Sequence, residues 1–174
     1  MRFRFRHLAA TTTVFTYVLI LLGVYTGAMG AGLSCAARWP FCDGWLGLFP
    51  ATWPSFLEWS HRFVAMITGF LILGLAIKAW RDGRSKQIRW ATVVAVVVLP
   101  VQILLGANTV LNYGPISSVA HHATALIIFT ALVAATAWAF GENRAAAATT
   151  EADADADADA DTTAESGRSG PVRL

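Results

Sequence analysis

The chain has 174 residues, 56% of them hydrophobic, with a mean hydropathy of +0.54 and a formal net charge of +2. That is too apolar for an ordinary soluble domain and points to a membrane protein. The charge is divided. From Gly141 onward eight acidic residues face three arginines, a balance of −5, whereas the preceding residues carry ten basic and three acidic, a balance of +7. No nucleic-acid partner is expected; the partner implied by composition is the lipid bilayer.

A spanning helix needs roughly 20 mostly apolar residues. Four stretches qualify, about 8–26, 56–79, 90–111 and 119–140. The first is read as a retained helix, because its apolar part is too long for a signal h-region and no small-residue cleavage site stands out after it. The expected fold is all-α: an integral membrane, antiparallel four-helix bundle over residues 1–140.

Orientation follows from the bias of Lys and Arg. Arg2, Arg4 and Arg6 precede the first helix, and Lys78, Arg81, Arg84, Lys86 and Arg89 surround the link between the second and third. The 1–2 loop has Arg38 alone before Arg62, and the 3–4 loop has no basic residue. The expectation is a multi-pass protein of the cell membrane, with both termini cytoplasmic and the 1–2 and 3–4 loops outside. Trp80, Trp90 and Trp138 fall at the inner helix ends and Trp59 near an outer one, as a bilayer interface selects.

The loop 27–55 is rich in Gly, Trp and Pro and poor in charge, so it is expected to fold onto the bundle as a lid. It holds the chain's two cysteines, Cys35 and Cys42. An outer location permits a disulfide that pins the lid. A redox-active pair and two separate thiols are the alternatives. The spacing is not Cys-x-x-Cys, so a thioredoxin-like dithiol is not supported.

Three of the four histidines lie at the starts of the second and fourth apolar runs, as His61 and the pair His121-His122. Ionisable groups within a membrane are costly and mark function by default, and imidazole is the commonest metal ligand among side chains. Both runs are expected to go from outside inward, which sets the two positions at matched depth within about one turn at 1.5 Å per residue. Two facing imidazoles in a bundle suit a haem iron. The plainer alternative is a polar cap at each helix start. Neighbouring residues on a helix differ in direction, so at most one of His121 and His122 faces inward.

Glu58 shares a helical face with His61. It is read either as a carboxylate acting at the mouth of the site or as a favourable charge at a helix N-terminus. Arg62 is read as a partner for a haem propionate or as a snorkelling side chain. Gln102, polar at mid-membrane, is expected to bond inside the bundle, and Gly106 to allow close helix contact or room for a flat ring. The tail holds an Asp-Ala alternation from Glu151 to Asp161. With almost nothing to bury, residues 141–174 are expected to be disordered.

Five pieces of sequence, in order and on these helices, resemble the haem A synthase family of cytochrome oxidase assembly proteins. They are Gly30-Ala-Gly-Leu-Ser-Cys35, Trp39-Pro-Phe-Cys-Asp-Gly44, Glu58-Trp-Ser-His-Arg62, Gln102-Ile-Leu-Leu-Gly-Ala-Asn-Thr-Val110 and the histidine of the last helix. The resemblance covers about residues 23–140 and implies oxidation of a methyl group of haem O to the formyl group of haem A, by successive hydroxylation and loss of water. It implies haem and iron, either as a b-type cofactor or as the haem O substrate. His61 and His121 become the axial ligands and Glu58 the acidic residue beside the haem. His121 is preferred to His122 because Ala125 follows it by four. Arg62, Gln102 and His122 are further candidates for the haem pocket, and Cys35 and Cys42 correspond to the outer-loop pair.

Many members have eight helices in two similar halves, whereas this chain resembles one half, as short archaeal-type members do. One histidine pair makes one haem site, so a homo-oligomer, at least a dimer, is expected, with a haem O synthase as a further partner. Two other functions compete: a non-catalytic haem-binding assembly factor, and a quinone-coupled thiol oxidoreductase. The latter normally needs a second cysteine pair, which the chain lacks.

Overall fold

The computed structural model describes residues 5–35, 38–112 and 114–168. Four helices carry the described chain: α1 (Phe5–Ala28), α2 (Trp53–Arg81), α3 (Lys86–Leu111) and α4 (Pro115–Arg168). A short 3-10 turn (Ala31–Leu33) follows α1. All four helices are long and apolar enough to cross a membrane, α4 over Pro115–Ala145. The protein is a multi-pass, all-helical membrane bundle, as its composition requires.

The helices begin several residues before the apolar runs do, because local chemistry and not hydropathy starts them. The Thr52 hydroxyl accepts from the Ser55 backbone N–H at 3.3 Å and caps α2, with Pro54 in its first turn. A capping hydroxyl satisfies an orphan N–H, and proline costs nothing where no intrahelical bond is due. Within the spans, Thr12, Thr16, Thr26 and Thr68 each donate to the carbonyl four residues back. Their hydroxyls are thereby satisfied in an apolar setting.

Side-chain contacts fix the order around the bundle. Helix α1 packs on α2, and α2 on α3. Helix α4 meets α1 through the Thr13–Thr136 hydroxyl pair at 2.9 Å and the Tyr17–Phe129 rings. It meets α3 through the Asn108 amide, which donates to the Ser117 hydroxyl at 2.9 Å. Helices α2 and α4 therefore stand diagonally across the ring.

The dry core occupies one end. Phe5 and Ala9 of α1 cluster with Ile72, Leu75 and Ala79 of α2, Ile88 and Ala95 of α3, and Ile128, Leu132 and Ala139 of α4. The Arg84 guanidinium lies 4.7 Å over the Phe5 ring at this same end. At the other end the 3-10 turn packs against α1, α2 and α3, and the loop that follows it covers the bundle.

Packing divides the chain into Met1–Ala139 and Phe140–Leu174, one residue from the expected boundary. The described residues after 140 are helical to Arg168. The segment is rich in alanine, the strongest helix former, which needs no tertiary contact to favour a helix. Arg2, Arg4 and residues 169–174 lie outside the described residues.

Candidate functional site

The loop over the bundle is closed by chemistry as well as packing. Cys35 and Cys42 form a disulfide, both fully buried, so the reading of two separate thiols is set aside. Beneath it the Ser55 hydroxyl lies 2.8 Å from Asp43 Oδ2 and 3.1 Å from the Ser34 carbonyl oxygen. A tight turn follows. Gly44 has φ +85°, and a Cβ there would fall 1.8 Å from the Phe49 carbonyl oxygen, so only glycine fits.

Arg62 fastens this loop to α2. Its Nε donates to Glu58 Oε1 at 2.9 Å, and its Nη1 donates to the carbonyls of Arg38, Pro40 and Phe41 at 2.9, 3.2 and 2.8 Å. Glu58 is buried, and an ionised carboxylate is tolerated there because it is paired. Arg62 is thus bound to the loop backbone as well as to Glu58. Its Nη2 is buried and has no partner, so one donor remains for an anionic group.

The two histidines sit in matching seats. His61, on α2, lies against Gly23 of α1: a Cβ at Gly23 would be 2.8 Å from His61 Cε1. His121, on α4, lies against Gly106 of α3: a Cβ there would be 3.0 Å from His121 Cε1. Each ring thus takes the space that any larger residue would fill. His61 is eight residues past the start of α2 and His121 six past the start of α4, depths that differ by about 3 Å. His121, His122 and Arg62 all lie within electrostatic reach of His61.

Among the described residues, Nδ1 of His61 and Nδ1 of His121 are both buried without a hydrogen-bond partner. Imidazoles seated at similar depth on two diagonal helices are a donor set for haem iron. The residues present therefore fit a haem held between α2 and α4.

The adjacent candidates separate cleanly. His122 is exposed, and its Nδ1 is 2.7 Å from the Ser118 carbonyl on its own helix. Its ring stands at 85° to that of His121. Gln102 does bond inside the bundle: its Nε2 donates to His121 Nε2 at 3.3 Å, while its Oε1 accepts from the Thr124 hydroxyl. The structure thus brings His61, Glu58 and Arg62 together on α2 beneath the loop, and Gln102 and His121 together across α3 and α4. It leaves His122 outside. Gly23 and Thr124 were not singled out from sequence. Thr124 follows His121 by three, on one helical face, a signal that was available; Gly23 offered none beyond being a glycine in an apolar helix.

The chain resembles known proteins over most of its length. Residues 46–133 match the family described as Cytochrome oxidase assembly protein (COX15-CtaA). The chain is 35% identical over 136 residues to a Heme A synthase of Bacillus licheniformis, covering 76% of this chain and 44% of that protein. It is 36% identical over 131 residues to a Protoheme IX farnesyltransferase of Halobacterium salinarum, covering 74% of this chain and 28% of that protein. A similar protein of the same name from Haloarcula marismortui is 34% identical over 134 residues, 77% of this chain and 28% of its own length. The chain spans less than half the length of these curated relatives. It belongs to the haem A synthase family of cytochrome oxidase assembly proteins.

Proposed function

We propose that this chain is a membrane oxidoreductase that converts a methyl group of haem O to the formyl group of haem A, for assembly of cytochrome oxidase. The observation that carries this reading is the pair of glycine-seated imidazoles on diagonal helices at similar depth. Two relatives named for farnesyl transfer to protohaem IX contain a segment like this chain within a longer protein. A farnesylated haem, the chemistry of haem O, is then the natural substrate, and a haem O synthase the natural supplier.

His61 and His121 hold the haem, which when bound supplies a redox-active iron. Glu58 is placed one turn before His61. Its Oε1 is committed to Arg62, which leaves Oε2 to take up a proton released as the methyl group is oxidised, the electrons going to an oxidant supplied from outside the chain. The loop excludes water from that edge, and Arg62 holds it shut through three carbonyls. Arg62 Nη2, buried and unpartnered, is the donor for a haem carboxylate. One histidine pair serves one haem, whether b-type cofactor or haem O. A second haem site would come from another copy of the chain in a homo-oligomer, at least a dimer, with the loop facing outward and both termini in the cytoplasm.

Haem extraction from a deletion strain tests the reaction. The expected result is haem O without haem A, restored by the wild-type chain and not by Glu58→Gln. Unchanged haem A in the deletion strain contradicts the reaction. Haem A restored fully by Glu58→Gln contradicts the role given to the carboxylate. Lost oxidase with haem A still made favours the non-catalytic assembly factor.

A further inference from the structure

The two imidazoles have alike seats but unlike neighbours. Among the described residues no side chain is hydrogen-bonded to His61. His121 is bonded through Nε2 to the Gln102 carboxamide. Gln102 is in turn fixed by Thr124, whose hydroxyl donates to its Oε1 and also lies 3.2 Å from the Ala120 carbonyl and 3.0 Å from the His121 carbonyl.

The helical positions make this a built arrangement. Gln102 and Gly106 are four apart on α3, and His121 and Thr124 three apart on α4, so each pair shares a face. Gly106 gives the ring its room, Gln102 covers its outer nitrogen, and Thr124 holds Gln102 in place. Asn108 and Ser117 tie the same two helices one turn further out.

A carboxamide nitrogen only donates, so the ring nitrogen facing it must accept. His121 is thereby held with its lone pair on Nε2 and its proton on Nδ1. That lone pair is the one an iron would need, and the amide occupies it.

Building on the haem site above, we propose that Gln102 is a positioning residue that presets and caps the His121 ligand. It fixes the tautomer and the ring orientation in the haem-free protein, and Nε2 would give up this hydrogen bond to ligate iron when haem binds. The His61 side needs no such exchange. The two ligands are thus unequal: His61 is open and His121 is gated by the Gln102–Thr124 pair.

Two measurements on the purified full chain test this. In haem-free protein, the ¹⁵N NMR signals of the imidazoles are expected to show Nε2 of His121 accepting and Nδ1 protonated. Gln102→Leu should move the His121 signals and leave those of His61 in place. In stopped-flow mixing with ferric haem, Gln102→Leu should speed association by about fivefold, the loss of one ordinary hydrogen bond, and reach the wild-type low-spin spectrum. Thr124→Val, which frees the amide without removing it, should act in the same direction and less. His121 signals unmoved by Gln102→Leu overturn the pairing. Association unchanged or slowed in both variants overturns the gate. If Gln102→Leu does not fold, Thr124→Val decides alone by the same two readouts. Wild-type protein that takes up no haem overturns the function proposed above and the gate with it, while the NMR comparison still reports separately on the pairing.

Discussion

The two ends of this bundle are built on different rules. At one end Phe5, Ile72, Leu75, Ile88 and Leu132 are almost wholly buried in a dry cluster. At the other, beneath the disulfide loop, lie a buried ion pair, a Gln–His–Thr network and two imidazole nitrogens without partners. The first end spends its residues on packing, and the second leaves polar groups poised. A scaffold that is rigid at one end can carry an unsatisfied site at the other, since local stability need not be uniform.

The comparison is open to test in order of effect. Arg62→Ala should be the most damaging single change, destabilising by about 3 kcal/mol because it leaves Glu58 buried and uncompensated. Thermal unfolding in detergent reads it, and Glu58→Gln should cost clearly less. Leu75→Ala, at the dry end, should cost about 2–3 kcal/mol through lost packing and leave any haem spectrum unchanged. A large spectral change in that variant would erase the distinction between the ends. Removing the disulfide by Cys35→Ser with Cys42→Ser should cost about 2 kcal/mol for so short a loop. Haem should still bind, with faster haem exchange as the lid loosens.

The glycine seats sharpen the comparison further. Gly23→Ala would force its Cβ to 2.8 Å from His61, and Gly106→Ala to 3.0 Å from His121. Both should displace a ring and weaken haem binding, Gly23→Ala by about tenfold and Gly106→Ala by less, as titration with haem would show. Gly74 of α2 has nothing within 4 Å of its built Cβ, so Gly74→Ala should leave haem affinity unchanged and favour the helix by up to about 1 kcal/mol. The smallest effect is expected from deleting 141–174, which should leave the haem spectrum as it was.

Much of the fold was legible because the membrane imposes it. Runs of about 20 apolar residues located all four helices, although their starts were missed by three to four residues in α1, α2, α3 and α4 alike. Those first turns contain Thr52, Pro54, Lys86 and Ser117, which hydropathy passes over and capping and helix geometry include. Residues of the site were legible where their type is costly in a membrane, as with His61, Glu58, Arg62, Gln102 and His121. Their partners were not. The contact of Gly23 with His61 joins residues 38 positions apart, and no periodicity within either helix records it. The grip of Arg62 on the backbone of Arg38, Pro40 and Phe41 is equally silent, because carbonyl oxygens are the same in every residue.

The central claim is that His61 and His121 together hold one haem iron. Absorption and electron paramagnetic resonance spectra of the purified chain, with His61→Ala and His121→Ala beside it, test it most directly. The account predicts a low-spin, bis-imidazole signature in the wild type that is lost in each variant, while His122→Ala keeps it. A low-spin signature that survives either His61→Ala or His121→Ala, or a folded wild type that binds no haem, would contradict it.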